Sequence, residues 1–390
     1  MVASTLPILR VGFVPEHFSS PLHRAVELGY FEREGIIVER VCCPGGTGEM
    51  TTKLIDGSLD IAIALTEGLL AGIAKGHDAY KIVGTYVESP LCWAISVGQK
   101  SRHTSRATLK NGTIGVSRLG SGSHIIPFVL AEQEGWLEGG ALPAGEGYKA
   151  PFEFKVLHNF ANLRDSVNDN SSDAFLWERF TTKPYHDTNE VRLVDTITPP
   201  WPAFMIAASV QHLPATADTD SKNVISKFLS VLSRSTSEFT DPKNYNHSIQ
   251  YVQDKMSYNK QDVEDWFSGV RYPSEKSGGC AGVQQEALLT CSRVLLEAGV
   301  LHKGQDTDAV EEHRPRSAQG QEPELPRVYV PDTTHAQLQP IVLPAHPRLS
   351  PPHHQVQDLW QPQRLPPRVA SKMIPHNILR QRLNKTLSRS

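Results

Sequence analysis

The sequence predicts an α/β fold built from two halves and followed by a disordered tail. Short apolar runs alternate with segments of helical spacing through roughly the first 300 residues, as is typical of α/β proteins. The alternation restarts after Pro90, which indicates a second half. Thirteen of the 28 prolines fall in residues 306–390, where no apolar periodicity remains.

The first half predicts four strands and three helices in alternation. Apolar runs mark the strands, and apolar residues at helical spacing mark the helices. The predicted strands are 8–14, 36–41, 59–65 and 80–87, and the predicted helices are 21–31, 47–55 and 67–74. Because the connections are short, we expect right-handed crossovers and a parallel sheet.

The second half predicts six further strands and two helices, after which only helices follow. The predicted strands are 91–97, 112–117, 152–157, 173–176, 191–196 and 204–210. The predicted helices are 123–134, 163–167, 224–232, 262–267 and 287–298. The last helix stops at Gly299, because glycine is common just beyond helix ends.

Composition excludes several functional classes. A net charge of −3 without a sustained basic run predicts no nucleic-acid partner. No apolar run reaches the about 18 residues of a membrane span, and the N-terminus lacks the features of a secretory signal. Five scattered cysteines are too few for a disulfide framework, and no His/Cys spacing fits a zinc site. We therefore expect a cytoplasmic protein without a membrane span or a bound metal.

Residues 304–390 form the predicted tail. Its prolines recur too often for helices or sheets, and its apolar surface is too small to offset the entropy of ordering. A polyproline ligand or a basic localisation arm at 380–389 is the alternative interpretation. We interpret the tail as a disordered, dispensable extension.

Four segments resemble the type 2 periplasmic-binding-protein family. They are VGFVPEH at 11–17, ELGYF at 27–31, the turn GTG at 46–48 and GSLDIAIA at 57–64. The branch that they resemble most binds nitrate, alkanesulfonates or thiamine-pyrimidine precursors. Two further segments, WERFTTKPY at 177–185 and PWP at 200–202, resemble a cytosolic fungal subgroup without an assigned ligand.

The resemblance covers about residues 6–303 and implies a two-lobed clamp that closes on a small-molecule ligand. One lobe would comprise residues 6–90 and 203–303, and the other residues 91–202. The chain would cross twice between the lobes, which suits closure about a hinge. Ligands of open α/β sheets bind beyond the carboxyl ends of the strands, so the loops after the strands carry the candidate site.

The loop between the predicted strand 112–117 and the next helix has the strongest signal for ligand binding. Small residues let backbone N–H groups face a ligand, and a helix N-terminus favours negative charge, so an anionic group fits here. The alternative is that Ser121 or Ser123 merely caps the helix. The candidate residues of this loop are Ser117, Gly120, Ser121, Gly122 and Ser123.

Two loops of the first half are further candidates. Gly46, Thr47 and Gly48 offer a second helix start, although glycines also serve plain tight turns. His17 follows the first strand, so it should reach the mouth of the cleft, although a lone histidine is more often a structural residue. The sequence leaves both interpretations open.

Polar residues at other strand ends are further candidates for hydrogen bonds to a ligand. Thr66 and Glu67 follow the third strand, where a carboxylate either accepts from a ring amine or sits in a first helical turn. Asn159 follows another strand and offers an amide.

Aromatic side chains supply the flat surfaces that a heteroaromatic ligand needs. Trp177 and Glu178 end a strand of the second half, and we expect the pair to face the cleft. Trp201 lies where the chain returns to the first half, as a hinge or cleft wall. Trp93 lies inside an apolar strand, which favours core packing.

Two functions of different classes remain. The first is a non-catalytic binding protein for a small anionic or heteroaromatic solute, of sulfonate, phosphate or pyrimidine type, without cofactor or catalytic residues. The alternative resembles the fungal thiamine-pyrimidine synthases, which hold pyridoxal phosphate on a lysine beside a consumed histidine and an iron-binding cysteine-rich stretch. Cys42 and Cys43 are only a pair, Lys53 falls inside a helix and Lys183 in a predicted surface turn. We therefore favour the binding protein and leave its oligomeric state open.

Overall fold

Two five-stranded sheets with helices packed around them form the described part of the chain. The computed structural model describes residues 6–137, 151–213, 224–256, 258–298 and 300. The strands are β1 (Ile8–Phe13), β2 (Ile37–Cys42), β3 (Ile61–Leu65), β4 (Tyr80–Val87), β5 (Trp93–Gly98), β6 (Thr113–Val116), β7 (Glu153–Val156), β8 (Ala174–Glu178), β9 (Val191–Ile197) and β10 (Phe204–Ser209). The helices are α1 (Ser20–Glu27), α2 (Tyr30–Arg33), α3 (Gly46–Ile55), α4 (Thr66–Ala74), α5 (Gly122–Gln133), α6 (Phe160–Asn168), α7 (Arg179–Asp187), α8 (Val224–Thr240), α9 (Tyr245–Met256), α10 (Lys260–Gly269) and α11 (Gln285–Glu297).

The strand order assigns the elements to two lobes. The first sheet has the order β2-β1-β3-β10-β4, and the second sheet has the order β7-β6-β8-β5-β9. We call the first sheet with α1–α4 and α8–α11 the first lobe, because α8 packs on α1 and α11 packs on α4. The second sheet with α5–α7 is the second lobe. The α/β clamp is confirmed, while the lobe limits 6–90 with 203–303 and 91–202 stay a prediction.

The predicted parallel direction of the four first-half strands, β1 to β4, is confirmed, and one later strand in each sheet runs antiparallel to its neighbours. β1 pairs in parallel with β2 and β3, and β6 pairs in parallel with β7 and β8. β10 is antiparallel to β3 and β4, and β5 is antiparallel to β8 and β9. Each of these two strands is the first one after the chain has crossed from the other sheet. It therefore escapes the helical crossover that keeps βαβ strands parallel.

The helices differ from the sequence prediction where local backbone geometry or polar residues intervene. The predicted helix 21–31 is split into α1 and α2, because Gly29 adopts a left-handed φ of 66° that a helix cannot continue through. α8 runs on to Thr240 through serines and threonines whose hydroxyls donate to carbonyls of the preceding turn, as Ser233 Oγ does to Leu229 O at 2.8 Å. α9 was missed because Ser248, Ile249 and Val252 are its buried residues. Three buried positions are too weak a pattern.

A single large core joins the lobes. It contains side chains from both sheets and from residues 198–203, which return from β9 to β10 and which we call the crossing segment. Among these side chains are Ile63, Trp93, Leu176 and Trp201. A second, small cluster in the second lobe contains Leu163, Val167, Phe175 and Val191. In the described ranges, every helix is too short or too polar to cross a bilayer. Residues 304–390 and Gly299, for which a tail and a helix stop were predicted, lie outside the described residues.

The backbone of residues 279–281 packs directly on β4, and this contact can be tested. A methyl group at Gly84 would lie 1.8 Å from the carbonyl oxygen of Cys280, which is backbone and cannot turn away. We expect Gly84→Ala to lower the free energy of unfolding of the full chain in urea by about 3 kcal/mol. Gly269→Ala is the control, because no atom lies within 4 Å of the added methyl group. Equal stability of the two variants would contradict the contact between β4 and residues 279–281.

Candidate functional site

The starts of α3 and α5 face each other across the lobe boundary. Arg118, in the loop before α5, donates from Nη1 to the carbonyl oxygen of Gly45 at 3.3 Å. A methyl group at Gly48 would lie 2.4 Å from Nε of the same arginine. The guanidinium can therefore approach α3 only because residue 48 is glycine. The two glycine-containing turns that the sequence singled out thus lie at one boundary.

The serine hydroxyls of the loop before α5 bond to one another and to the loop backbone. Ser123 Oγ accepts from the Ser117 amide at 3.0 Å and lies 2.8 Å from Ser121 Oγ. Ser121 Oγ donates to the carbonyl oxygen of Arg118 at 2.7 Å. Ser121 is the N-cap residue of α5, yet its side chain makes no capping hydrogen bond. These hydroxyls therefore shape the loop, and Gly120, with a φ of 78°, makes its turn.

The start of α3 is already occupied by groups of the protein itself. Glu49 Oε2 accepts from the Gly45 amide at 2.8 Å, so a carboxylate stands where an anion would bind. Thr47 Oγ1 accepts from the Leu65 amide at 3.0 Å, and the Thr47 methyl group packs so closely on α4 that Gly68 has no room for a Cβ. Thr47 thus joins α3 to β3, and Gly46 provides a left-handed turn with a φ of 68°.

Glu67, Trp93, Trp201 and Gly122 meet where the chain crosses between the lobes. Trp201 Nε1 donates to Glu67 Oε2 at 3.2 Å, and both side chains are 2% exposed. A methyl group at Gly122 would lie 2.8 Å from Glu67 Oε1 and 2.5 Å from Trp93 Cη2. Beside them, Thr66 Oγ1 donates to the carbonyl oxygen of Pro202. First lobe, second lobe and crossing segment are therefore in direct contact here.

The Glu67 carboxyl group is held in a dry environment. Burial raises its pKa to about 7, because the charged form loses its hydration. The hydrogen bond from Trp201 acts in the opposite direction and offsets only part of this effect. Near neutral pH the group therefore exists both as a carboxylic acid, which donates, and as a carboxylate, which accepts.

His17 is packed among aromatic rings from both lobes. Its ring centroid lies 4.4 Å from Phe18, 4.7 Å from Trp266, 5.4 Å from Tyr258 and 6.1 Å from Phe180. The side chain is 1% exposed, and burial lowers its pKa to about 3. His17 is therefore a neutral imidazole beneath the boundary.

The structure separates Trp177 from Glu178, which the sequence analysis expected to face the cleft together. Successive residues of a strand point to opposite faces of the sheet. Trp177 stacks on Phe160 at 5.1 Å beside the small cluster of the second lobe. Glu178 is paired with Trp93 across β5 and β8 and is buried. Asn159 is exposed and caps α6 through the Asn162 amide at 2.9 Å.

Glu178 lies near enough to a second carboxyl group, that of the half-buried Glu16, for its charge to act on it. Burial and the charge of Glu178 raise the pKa of Glu16 to about 8, and burial raises the pKa of Glu178. Glu178 Oε2 accepts from the amide and the hydroxyl of Thr181 at 2.6 and 2.8 Å. A carboxylate of the second lobe therefore makes a carboxyl group of the first lobe hold its proton more tightly.

Buried polar atoms without a hydrogen-bond partner concentrate at this boundary. Within the described residues they include Glu67 Oε1, Trp93 Nε1, Trp266 Nε1 and both ring nitrogens of His17. Such atoms are rare in folded proteins because each one forfeits its hydration. Their accumulation between two lobes is typical of a binding site.

Several residues of this site were missed by the sequence analysis. Arg118 lies inside the predicted ligand loop, and Glu16 is the neighbour of His17. Both residues could therefore have been identified from their positions within the recognised motifs. Trp93 is a core residue, as its apolar strand predicted, but its contact with Gly122 beside Glu67 was not foreseen. Tyr258 and Trp266 belong to the C-terminal helical region, whose sequence carries no sign of its approach to β1.

The lysines considered for pyridoxal phosphate do not fit that cofactor. Lys53 Nζ lies 2.8 Å from Glu49, and Lys183, which belongs to α7 and not to a surface turn, lies 2.7 Å from Asp187 and 3.0 Å from Asp262. These carboxylates raise the pKa of both lysines, whereas a Schiff-base lysine needs a lowered pKa. The described residues also contain no group of three potential metal ligands.

Family models match both lobes. A model described as Ca3427-like PBP matches residues 93–197, and one described as an NMT1-like family matches residues 3–110. Among proteins of curated function, none matches the chain.

Solved structures resemble the chain over most of its length. The Candida albicans CA3427 gene product, which defines a family with the generic periplasmic-binding-protein fold, is 36% identical with a TM-score of 0.65, over 76% of this chain and 91% of that one. The alkanesulfonate-binding protein SsuA from Xanthomonas axonopodis pv. citri, bound to MOPS, is 18% identical with a TM-score of 0.58, over 77% and 96%. The aliphatic sulphonate-binding protein SsuA from Escherichia coli is 16% identical with a TM-score of 0.55, over 85% and 99%. The two SsuA structures show the fold alone.

The raised pKa of Glu67 predicts how stability depends on pH. An acid whose pKa rises from 4.5 to about 7 on folding stabilises the protein below pH 4.5, and this contribution is lost as the pH rises through 7. Glu67→Gln keeps the acceptor for Trp201 and cannot ionise. Between pH 5 and 8 we expect the variant to gain on the order of 3 kcal/mol over the wild type in urea unfolding. A stability difference that does not change with pH would contradict the burial of a titrating Glu67.

Proposed function

The chain belongs to the Ca3427-like family, which has the generic periplasmic-binding-protein fold, and from this premise we propose that it is a non-catalytic binding protein. Its ligand is a small anionic or heteroaromatic solute that the two lobes enclose at their boundary. The observation that carries the proposal is the accumulation of buried polar atoms without partners around Glu67, Trp93 and His17. A bound solute would satisfy them and so recover the free energy lost by their dehydration.

The loop before α5 supports an anionic group on the ligand. α5 has twelve residues, and its N-terminus carries a partial positive charge. Arg118 forms no ion pair with a carboxylate of the described ranges, and a methyl group at Gly120 would lie 3.4 Å from Lys75 Nζ. Two cations and a helix start would suit a sulfonate like that of the MOPS bound to the Xanthomonas protein, or a phosphate.

The crossing segment supports a flat ring on the ligand. Trp93 and Trp201 present indole rings beside Glu67, which would bond to ring nitrogens as donor or acceptor. Aromatic walls with a few polar groups are typical of small-molecule sites.

Native mass spectrometry of the purified full chain tests the proposal directly. We expect a native mass that exceeds the denatured mass by that of a small, non-covalent solute. A pyridoxal phosphate adduct on a lysine would favour the synthase-like enzyme instead. An apo mass together with no thermal stabilisation by any sulfonate, phosphate or pyrimidine would contradict a binding function.

Arg118 offers a sharper test of the anionic group. We expect MOPS or inorganic phosphate to raise the Tm of the wild type and to lose most of this effect with Arg118→Ala, because the variant removes the guanidinium before α5. Arg102→Ala is the control, since it removes the same charge from an exposed position of the second lobe. An equal ligand-induced shift in the two variants would exclude Arg118 from the site.

We also propose that the protein works in the cytoplasm. All five cysteines are free thiols, three of them buried, which suits a reducing compartment. Cell fractionation with an antibody should place the native protein with cytosolic markers, and recovery in an organelle or in the medium would contradict this location.

A further inference from the structure

The inner part of the lobe boundary combines three carboxyl groups with aromatic rings. We call this set the acidic band: Glu16, Glu67, Glu178, Trp93 and Trp266. Trp93 and Glu178 are directly opposed on β5 and β8, so their side chains lie on one face with Cβ atoms about 5 Å apart. Trp93 in turn lies beside Glu67 at Gly122, and the charge of Glu178 reaches Glu16. The band therefore runs from Glu67, beside the crossing segment, to Glu16, in the segment after β1.

The carboxyl groups of the acidic band form no ion pair within the described residues. None of the ion pairs formed by the described residues involves Glu16, Glu67 or Glu178. Arg179 is close enough to lower the pKa of Glu178 slightly, but its guanidinium lies over the Phe180 ring at 5.5 Å. A buried carboxyl group without a counter-charge costs free energy unless it binds a proton or a cation.

The band also offers what a flat cation requires besides charge. Glu67 is only 2% exposed, and no group of the protein donates a hydrogen bond to its Oε1. The indole of Trp93 beside Glu67 is an electron-rich ring of the kind that attracts an organic cation, and the rings of Trp266 and Tyr258 pack edge to face with His17. His17 stays neutral among these rings because of its lowered pKa, so it adds no competing positive charge.

We infer that the acidic band is a subsite for a planar organic cation with N–H donors, of amidinium or guanidinium type. This inference rests on the proposed binding function and deepens it. N–H groups of the cation would donate to Glu67 Oε1, its charge would lie between Glu16 and Glu178, and its face would stack on indole. Once ionised, the three carboxyl groups repel an anion from this part of the boundary, so an anionic group of the same ligand would belong at Arg118.

Three probes with the same benzene ring separate the effect of charge from that of the ring. Benzamidine, benzamide and benzenesulfonate carry a positive, a neutral and a negative group on the same ring. Calorimetry on the full chain should show benzamidine binding at least about tenfold more tightly than benzamide, which is a difference of about 1.4 kcal/mol. Tighter binding of benzenesulfonate at a site that benzamidine does not share would overturn the subsite and leave the proposed binding function standing.

Variants locate the binding. Glu67→Gln and Glu178→Gln should each weaken benzamidine at least about tenfold, as expected for a lost charge-assisted contact. Glu297→Gln is the control, because Glu297 is also buried but pairs with Arg293 on α11, outside the band. Equal weakening by all three variants, or by none, would overturn the assignment. No binding of benzamidine to the wild type would overturn it as well, and the MOPS, phosphate and pyrimidine results decide the binding function separately.

A pH series on the wild type avoids any dependence on variant folding. Carboxyl groups with pKa values of about 7 and 8 must lose their protons to hold a cation. Benzamidine affinity should therefore rise between pH 6 and 8.5, where neither His17 nor the tyrosine Tyr258 changes its charge. An affinity that stays constant or falls over this range would contradict cation binding by Glu16 and Glu67.

Discussion

The hydrogen bond between Trp201 and Glu67 is the contact on which the lobe boundary depends. It joins the segment that returns from the second sheet to the first turn of α4. Because both partners are buried, the bond forms in a medium of low dielectric, where a lost partner costs more than it does in water. Thr66 reinforces the same junction through the backbone at Pro202 and Ala203. The position of the second lobe on the first is thereby tied to a polar contact and not to apolar packing alone.

Glycines allow the two lobes to come this close. Gly48 makes room for Arg118, and Gly122 makes room for Trp93 and Glu67. Both occupy the first turn of a helix, where backbone amides lack partners within the helix. A helix start without side chains therefore admits the opposite lobe, and in the proposed function its amides would also face the ligand. A carboxyl group lies at each of the two helix starts, Glu49 at α3 and Glu67 at α5.

The burial of polar groups at the boundary costs free energy, and the rest of the fold offsets this cost. The acids at positions 16, 67 and 178 all have raised pKa values, and several donors and acceptors near them lack partners. A large apolar core shared by the two lobes supplies the stability that such a site consumes. In the proposed function, a ligand that neutralises the acids and pairs the free atoms would stabilise the contact between the lobes.

Sequence alone determined the α/β alternation and the starts of α3 and α5 to within one residue, because these follow from local periodicity and from backbone freedom at glycine. Tertiary structure decided the direction of β5 and β10, because strand pairing joins residues far apart in the chain. It also decided which polar groups remain available: the hydroxyls of Ser117, Ser121 and Ser123 bond to their own loop, while Trp93, assigned to the core, kept an unpaired indole nitrogen. Side-chain partners depend on which surfaces come into contact, and no local pattern encodes the arrival of Tyr258 and Trp266 beside His17.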